Sequence, residues 1–165
     1  MGSNPAGNTI ESKGETMDHL FYMKKALSEA QKAYRLGEVP IGALLVKEGA
    51  IIAKDHNHRE GSNDPTGHAE IRVIKKAAAM LKDWRLEETT LYVTLEPCPM
   101  CAGAILNARI PRLVFGAFDS KAGAVGTVIN LLEDNRFNHQ VEVIAGIMEE
   151  ECKELMQQFF RERRK

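Results

Sequence analysis

Apolar positions along the chain follow a helical period in some segments and a strand period in others. Between residues 18 and 36 they recur at steps of three and four, which predicts an amphipathic helix. The same reasoning predicts four further helices, over about 68–82, 98–107, 128–132 and 149–161. Short apolar runs rich in β-formers predict strands over 41–46, 51–53, 90–95, 112–117 and 141–144. Helices that alternate with short strands are typical of a layered α/β domain.

The first 16 residues lack both periods. They contain three glycines and one proline, and they predict a disordered leader or an expression remnant. Residues 17–165 have the length of one ordinary domain, which buries about two thirds of the surface that its unfolded chain exposes. We therefore expect a leader over residues 1–16 followed by a single domain over residues 17–165.

Composition and charge exclude several classes of protein. The chain is 44% apolar and 27% charged, as in soluble globular proteins rather than disordered chains. It has no run of about 18 apolar residues, so we expect a cytoplasmic protein with no membrane partner. A net charge of −1 excludes a uniformly basic protein that coats nucleic acid. Only residues 161–165 depart from this balance, because four basic side chains and one glutamate give +3 there.

Two cysteines with metal-ligand spacing are the strongest chemical signal. The chain has three cysteines, an odd number that argues against a disulfide framework. Cys98 and Cys101 lie three positions apart at the start of a predicted helix, so both sulfur atoms can reach one ion. His68 begins another predicted helix and can supply a third ligand. Three protein ligands leave one tetrahedral position for water, which is typical of catalytic zinc.

Glu70 follows His68 by two residues and should face the same cleft without binding the metal. A carboxylate beside an activated water can accept a proton and deliver it again, so we predict that Glu70 is a general base and then a general acid. A C-x-x-C spacing alone is more typical of redox or structural zinc sites, and H-x-E alone is mostly chance. Joined in this order, the two motifs match the signature of zinc deaminases, H-x-E…P-C-x-x-C.

The remaining histidines and the third cysteine have no ligand spacing. We expect Cys152 to be a small buried apolar residue on the last helix. We expect the histidines at the surface or in loops, and they are His19, His56, His58 and His139.

Longer motifs make the chain resemble a known family. They are EVPIGA (38–43), DPTGHAE (64–70), TLYVTLEPC (90–98), CAGA (101–104) and FFRERR (159–164). From Asp18 to Lys165 the chain resembles the cytidine-deaminase-like superfamily and, more closely, the bacterial tRNA-specific adenosine deaminases. The resemblance implies a three-layer α/β fold with a five-stranded mixed sheet between helices, and a homodimer with one zinc per subunit. It also implies hydrolytic deamination of adenosine to inosine at the wobble position of a tRNA anticodon.

The resemblance further implies roles for residues outside the metal motifs. Asn57 would hydrogen-bond the substrate nucleoside, and the backbone of Ala69 would help to fix the base. Val39 and Leu95 would line the apolar faces of the base. The tRNA anticodon loop would contact the end of the last helix, through Phe159, Phe160, Arg161, Arg163 and Arg164. Arginines bind phosphates and aromatic rings stack on unpaired bases, although the same residues also suit a helix end that packs on the core.

Two other functions stay open at the level of the sequence. Zinc deaminases that act on free guanine, cytosine or cytidine share the metal motifs, although the FFRERR ending and the loop around Asn57 and Asp64 favour tRNA. A binding module with a structural zinc would need a fourth protein ligand and would leave Glu70 idle. No fourth cysteine or histidine is obvious near the motifs.

Overall fold

Within the described residues, five strands form one mixed sheet at the centre of the structure. The structure is a computed structural model that describes residues 13–163 and the side chains of residues 17–163. The strands are β1 (Gly42–Lys47), β2 (Ala50–His56), β3 (Thr89–Leu95), β4 (Arg112–Ala117) and β5 (Glu142–Ala145). Their order is β2-β1-β3-β4-β5. β1 pairs antiparallel with β2 and β3, whereas β3, β4 and β5 run parallel. The predicted five-stranded mixed sheet is confirmed.

In the described part of the chain, four helices cover the two faces of this sheet. They are α1 (Lys13–Arg35), α2 (Ala69–Leu81), α3 (Pro99–Asn107) and α4 (Glu149–Arg163). Met23 of α1 and Cys152 of α4 belong to one buried cluster on the sheet. Val73 of α2 and Ile105 of α3 belong to a second cluster. The predicted three-layer α/β arrangement is therefore confirmed, and Cys152 is buried as predicted.

Strand direction brings the first turns of α2 and α3 together. β2 and β3 both run antiparallel to β1, so they run in the same direction and end at the same edge of the sheet. The chain leaves β2 through a polar loop and enters α2, and it leaves β3 and enters α3 after only three residues. The two helix N-termini therefore meet at one edge of the sheet.

Two glycines fix the first hairpin and its distance from α1. In the turn between β1 and β2, Glu48 and Gly49 have φ values of 51° and 77°. Such left-handed pairs match the twist of the strands that they join. A Cβ atom at Gly42 would lie only 2.1 Å from the Ala26 carbonyl oxygen. Glycine at this position therefore lets α1 lie directly on β1.

The predicted helix over residues 128–132 is wrong. This segment is a loop in which Val125 and Asn130 form an isolated bridge, and the Gly126 N–H donates to the Ile129 carbonyl at 2.9 Å. Leu132 is buried whereas Ile129 is exposed. The apolar residues of this run therefore do not share one buried face, which a helix packed on the core would require.

The structure also corrects one predicted helix boundary and one prediction about burial. Helix α1 begins at Lys13, before the predicted start near residue 18. Residues 1–12 lie outside the described part of the chain, so the predicted disordered leader stays a prediction there. His19, expected at the surface or in a loop, is buried, and its Nδ1 atom lies 2.7 Å from the Tyr92 hydroxyl oxygen. A polar partner on a distant strand makes this burial possible, and such a partner cannot be read from local sequence.

Candidate active site

Three side chains with metal-ligand chemistry meet where α2 and α3 begin. His68 and Cys98 directly precede the two helices, and Cys101 lies in the first turn of α3. The His68 Nδ1 atom lies 3.6 Å from Cys98 Sγ and 3.5 Å from Cys101 Sγ. All three candidate ligand atoms lie within 4.8 Å of one another. The fold therefore brings together the three residues that the sequence singled out.

The spacing of this His-Cys-Cys group suits a tetrahedral metal ion. Zinc binds sulfur at about 2.3 Å and imidazole nitrogen at about 2.0 Å, so a tetrahedral angle places these donors about 3.5 Å apart. The observed separations of 3.5 and 3.6 Å match that value. Among the described residues the group includes no fourth histidine, cysteine or carboxylate. It therefore offers donors for three of four positions, as catalytic zinc sites do.

The two thiols differ in their affinity for a proton. A hydrogen bond from Cys101 and the contact with His68 lower the pKa of Cys98 to about 4, although partial burial opposes this. The same hydrogen bond and burial raise the pKa of Cys101 far above its usual range. The pair therefore carries one negative charge before a cation binds, and metal binding would displace the second thiol proton.

Glu70 lies in the first turn of α2 and is 4% exposed. Burial raises the pKa of its carboxyl group to about 7, and the nearby negative Cys98 acts in the same direction. Glu70 is not a member of the His-Cys-Cys ligand group. A carboxyl group that titrates near neutral pH can both accept and donate a proton. The geometry thus suits the predicted proton shuttle, which stays a prediction.

Asn57 is buried just after β2 and holds the start of α2. Its N–H donates to the Ile41 carbonyl at 3.0 Å, and its Oδ1 accepts the Ala69 N–H at 3.0 Å. The second bond orients the amide, so that the Asn57 Nδ2 group is left as the donor for a ligand. The predicted contacts of Asn57 and of the Ala69 backbone with a base stay predictions, and in this structure the Ala69 N–H is engaged by Asn57.

Val39 and Leu95, the predicted apolar lining of the base, are both half-buried. Leu95 ends β3 and packs against the cluster shared by α1 and α4. Val39 follows Glu38, whose buried carboxylate accepts the N–H groups of Arg59 and Gly61 at 3.0 and 2.7 Å. Their positions beside the turns that lead into the site are compatible with a lining role, which stays a prediction.

Part of the predicted RNA contact packs on the protein itself. Phe159 is buried, and its ring centroid lies 5.8 Å from that of Tyr34. Arg163 stacks over Phe159 and donates to the Gly37 carbonyl at 2.6 Å. These contacts match the alternative interpretation of the C-terminal residues, a helix end packed on the core.

Other C-terminal side chains face an open groove. Phe160 is 42% exposed, and Arg161 is also exposed. The groove, which we call the C-terminal groove, has a volume of about 590 Å³ and is lined by Lys121, Met156, Gln157, Phe160, Arg161 and Arg163. Arg164, also predicted to bind RNA, lies outside the described residues. Lys121, Arg161 and the exposed Phe160 ring suit a phosphate backbone with unpaired bases.

A second group of metal-ligand side chains forms an ion-pair cluster instead. Ligand atoms of Glu29, Asp55 and His56 lie within 4.8 Å of one another. Glu29 pairs with Lys32 at 2.7 Å, and Asp55 pairs with Lys76 at 2.9 Å. Basic side chains therefore already neutralise both carboxylates, and the Asp55–Lys76 pair links β2 to α2.

Sequence reasoning missed two buried glutamates that organise loops beside the site. Glu38 and Glu96 are 3% and 2% exposed, and both lie within the motifs EVPIGA and TLYVTLEPC. For Glu96, a carboxylate directly between an apolar run and a proline was the available signal, because a buried carboxylate requires several hydrogen-bond donors. The sequence did not indicate which loops would supply those donors.

Comparison with known proteins identifies the class first. A family model of MafB19-like deaminases matches residues 17–164, so the chain is a deaminase. It is 57% identical over 150 residues to the tRNA-specific adenosine deaminase of Bacillus subtilis (strain 168), covering 91% of this chain and 92% of that protein. It is 46% identical over 147 residues to the tRNA-specific adenosine deaminase of Streptococcus pyogenes serotype M1, covering 89% and 86%.

A solved structure agrees with these relatives. It comes from work on A-to-I editing by tRNA:A34 deaminases at the wobble position of transfer RNA, and it matches this chain with a TM-score of 0.79 and 46% identity. The match covers 82% of this chain and 98% of that one. The chain therefore belongs to the family of tRNA-specific adenosine deaminases, and the predicted resemblance is confirmed. In the part of the chain that the structure describes, no helix is both long and apolar enough to span a membrane.

Proposed function

We propose that this protein hydrolytically deaminates adenosine to inosine at the wobble position of a tRNA anticodon. The observation that carries the proposal is the His68, Cys98 and Cys101 group, with the buried Glu70 in the helix turn that follows His68. Three metal ligands and a neighbouring carboxyl group suit hydrolysis by an activated water. Relatives named for this tRNA activity, at 57% and 46% identity, support the choice of substrate.

The proposed cofactor is zinc, one ion per subunit. Two sulfur donors and one imidazole nitrogen are a donor set that zinc prefers. When bound, zinc would lower the pKa of water toward about 7 and so supply a nucleophile at neutral pH. The protein contributes the fixed spacing of His68 and the two cysteines, which the first turns of α2 and α3 provide.

Glu70 moves the protons in this scheme. The amine on adenine C6 is a poor leaving group, so the ring nitrogen N1 and the departing nitrogen each need a proton. The Glu70 carboxylate accepts a proton from the attacking water and passes it to N1. A second proton from the added hydroxyl then passes through the same carboxyl group to the amine, which leaves as ammonia and yields inosine.

An anticodon loop meets the access requirement of such a site. A target base must leave its stack to reach a metal at the helix N-termini, and loop bases are already unpaired. In this proposal Asn57, whose Oδ1 accepts the Ala69 N–H, would hydrogen-bond the nucleoside through its Nδ2 group, and the C-terminal groove would take the adjoining strand. A duplex should therefore be a poor substrate.

We also infer that the protein is a cytoplasmic homodimer, on the strength of the family resemblance and the tRNA substrate. Sedimentation equilibrium of the full chain should give about twice the 18.4 kDa mass of one chain. A single-chain mass across the micromolar range would contradict the dimer and leave the proposed reaction intact.

The deciding experiment compares an anticodon stem-loop RNA bearing a wobble adenosine with free adenosine, cytidine and guanine. The same RNA with guanosine at the wobble position is the matched control, and metal content is measured on the same protein sample. We expect inosine in the wobble-adenosine RNA alone, with one zinc per chain. Conversion of a free base or nucleoside alone would show that the protein belongs to another class of zinc deaminase, one that does not act on tRNA. A zinc-loaded protein that converts nothing would instead favour a binding module.

A further inference from the structure

We propose that Glu96 is a positioning residue that fixes the loop over residues 119–127 between the metal ligands and the C-terminal groove. Glu96 lies between the end of β3 and Cys98, the first cysteine of the ligand group. The loop follows β4, the strand that pairs with β3. The inference rests on the proposed function, because it assigns the loop a part in holding the RNA.

The carboxylate of Glu96 accepts four hydrogen bonds from this loop. Its Oε1 accepts the Asp119 N–H at 3.0 Å and the Thr127 hydroxyl. Its Oε2 accepts the Val125 N–H at 2.9 Å and the Thr127 N–H at 3.1 Å. The donors come from both ends of the loop, and Glu96 is 2% exposed. One buried side chain thus closes the loop across its base.

Close packing leaves little freedom for the loop to take another course. A Cβ atom at Gly123 would lie 2.4 Å from the Glu96 Oε1 atom, so the loop backbone passes directly over the carboxylate. The Ala124 N–H donates to the Pro97 carbonyl at 2.9 Å, which attaches the loop to the residue before Cys98. The loop is therefore held both by Glu96 and by the turn that carries the first cysteine.

The same loop supplies one wall of the C-terminal groove. Lys121, near its tip, lines the groove together with Arg161 and Phe160 of α4. The Asp119 carboxylate accepts the Lys121 N–H at 3.0 Å, so the position of Lys121 depends on the segment that Glu96 anchors. Glu96 thereby couples the position of the turn that carries Cys98 to the position of Lys121, whose basic side chain faces the proposed RNA path.

Glu96→Gln is the sharpest test of this connection. Glutamine keeps the size of the side chain but replaces one acceptor oxygen with an NH₂ group, which would face loop donors. The His68 and cysteine ligands are untouched, and the Ala102 N–H still donates to the Cys98 carbonyl at the start of α3. We therefore expect one zinc per chain, a KM for the anticodon stem-loop raised by about tenfold and a kcat within about threefold of the unsubstituted value.

Hydrogen exchange of the loop amides gives a readout that needs no substrate. In Glu96→Gln, the Asp119, Val125 and Thr127 amides should exchange at least about tenfold faster, while strand amides of β3 keep their rates. Glu87→Gln, at an exposed glutamate outside the loop, is the matched control and should change neither rate nor KM. If Glu96→Gln does not fold, Thr127→Val removes one of the four donors and should shift both readouts in the same direction by a smaller factor.

Unchanged loop exchange, or faster exchange with an unchanged KM, would overturn the positioning role. Loss of zinc with normal loop exchange would also overturn it, because Glu96 would then serve the cysteine turn alone. An unsubstituted protein that leaves the RNA unconverted would contradict the proposed function, and the loop exchange would still decide whether Glu96 holds the loop.

Discussion

At the scale of single residues, Glu70 differs from the other buried glutamates in its surroundings. Glu38 and Glu96 accept several N–H groups from nearby loops. Glu70 instead lies beside thiol groups, and burial raises the pKa of its carboxyl group to about 7. A buried carboxyl group with this environment is a candidate for proton transfer rather than for loop anchoring.

Replacement of Glu70 should separate chemistry from metal binding. In Glu70→Gln we expect kcat to fall by about 10² to 10⁴, because the shuttle is lost, while zinc content stays at one per chain. Single-turnover deamination of the stem-loop RNA and metal analysis of the same sample measure the two quantities. Glu87→Gln should behave like the unsubstituted protein, and near-normal turnover in Glu70→Gln would exclude the shuttle role.

The effect of replacing a cysteine should depend on whether it binds the metal and not on how deeply it is buried. Cys98→Ala removes a proposed metal ligand, so we expect loss of most of the zinc and a lower melting temperature, since metal binding contributes to folding stability. Cys152→Ala, at a buried cysteine that is not near the ligand group, should keep the zinc and lose only about 1 kcal/mol. Metal analysis with thermal unfolding compares them, and equal zinc content in both variants would refute the assigned ligand set.

At the scale of elements, the contact between α1 and β1 depends on the missing side chain of Gly42. In Gly42→Ala the new Cβ would meet backbone atoms of α1, which cannot move aside as a flexible side chain can. We expect a loss of about 2 kcal/mol or more in the free energy of unfolding. Gly49→Ala, in an open turn with φ of 77°, should cost about 1 kcal/mol from backbone strain alone. Urea unfolding ranks the two, and the reverse order would contradict this packing.

The loop over residues 59–61 should give a defined acid dependence. Burial opposes ionisation of Glu38, but N–H groups of Gly61, Glu60 and Arg59 hold the pKa of this carboxyl group below its ordinary value. A lowered pKa in the folded state contributes stability above the unfolded pKa of about 4.3 and loses it as pH falls through the folded pKa. Glu38→Gln should thus be less stable at pH 7, with a difference that shrinks below about pH 4. A difference that stays constant across pH would show that ionisation of Glu38 contributes nothing.

At the scale of the whole molecule, the net charge is small, but several basic side chains are clustered on one part of the surface. The net charge is −1, yet Lys121, Arg161 and Arg163 line one groove. Binding of RNA should therefore depend on salt through a few local phosphate contacts and not through bulk attraction.

Arg161→Gln tests that distribution. If Arg161 contacts one phosphate of a single-stranded segment, its loss should lower the slope of log affinity against log salt by about 0.7. Lys24→Gln, at an exposed lysine of α1, is the control and should leave the slope unchanged. Binding titrations at several salt concentrations give both slopes, and equal slopes for the two variants would place the RNA elsewhere.

Local patterns were sufficient for most of the architecture. The hydrophobic period located the sheet strands and the four helices to within a few residues, because each element buries one continuous apolar face. The helix predicted over residues 128–132 was wrong because the apolar residues of this segment are divided between the core and the solvent. The prediction that His19 lies at the surface or in a loop was wrong because its partner, Tyr92, lies 73 positions away in the chain.

The sequence by itself determined which residues are the candidate metal ligands and the candidate proton shuttle. Ligand type and spacing at His68, Cys98 and Cys101 are local properties, and so is the position of Glu70 two residues after the histidine. Only the tertiary structure decided how these segments meet, because the common direction of β2 and β3 brings two helix N-termini to one edge. It also decided the roles of Phe159, which is buried, and of Glu96, which anchors a distant loop. Burial and long-range hydrogen bonds depend on which elements become neighbours, and no local pattern specifies that.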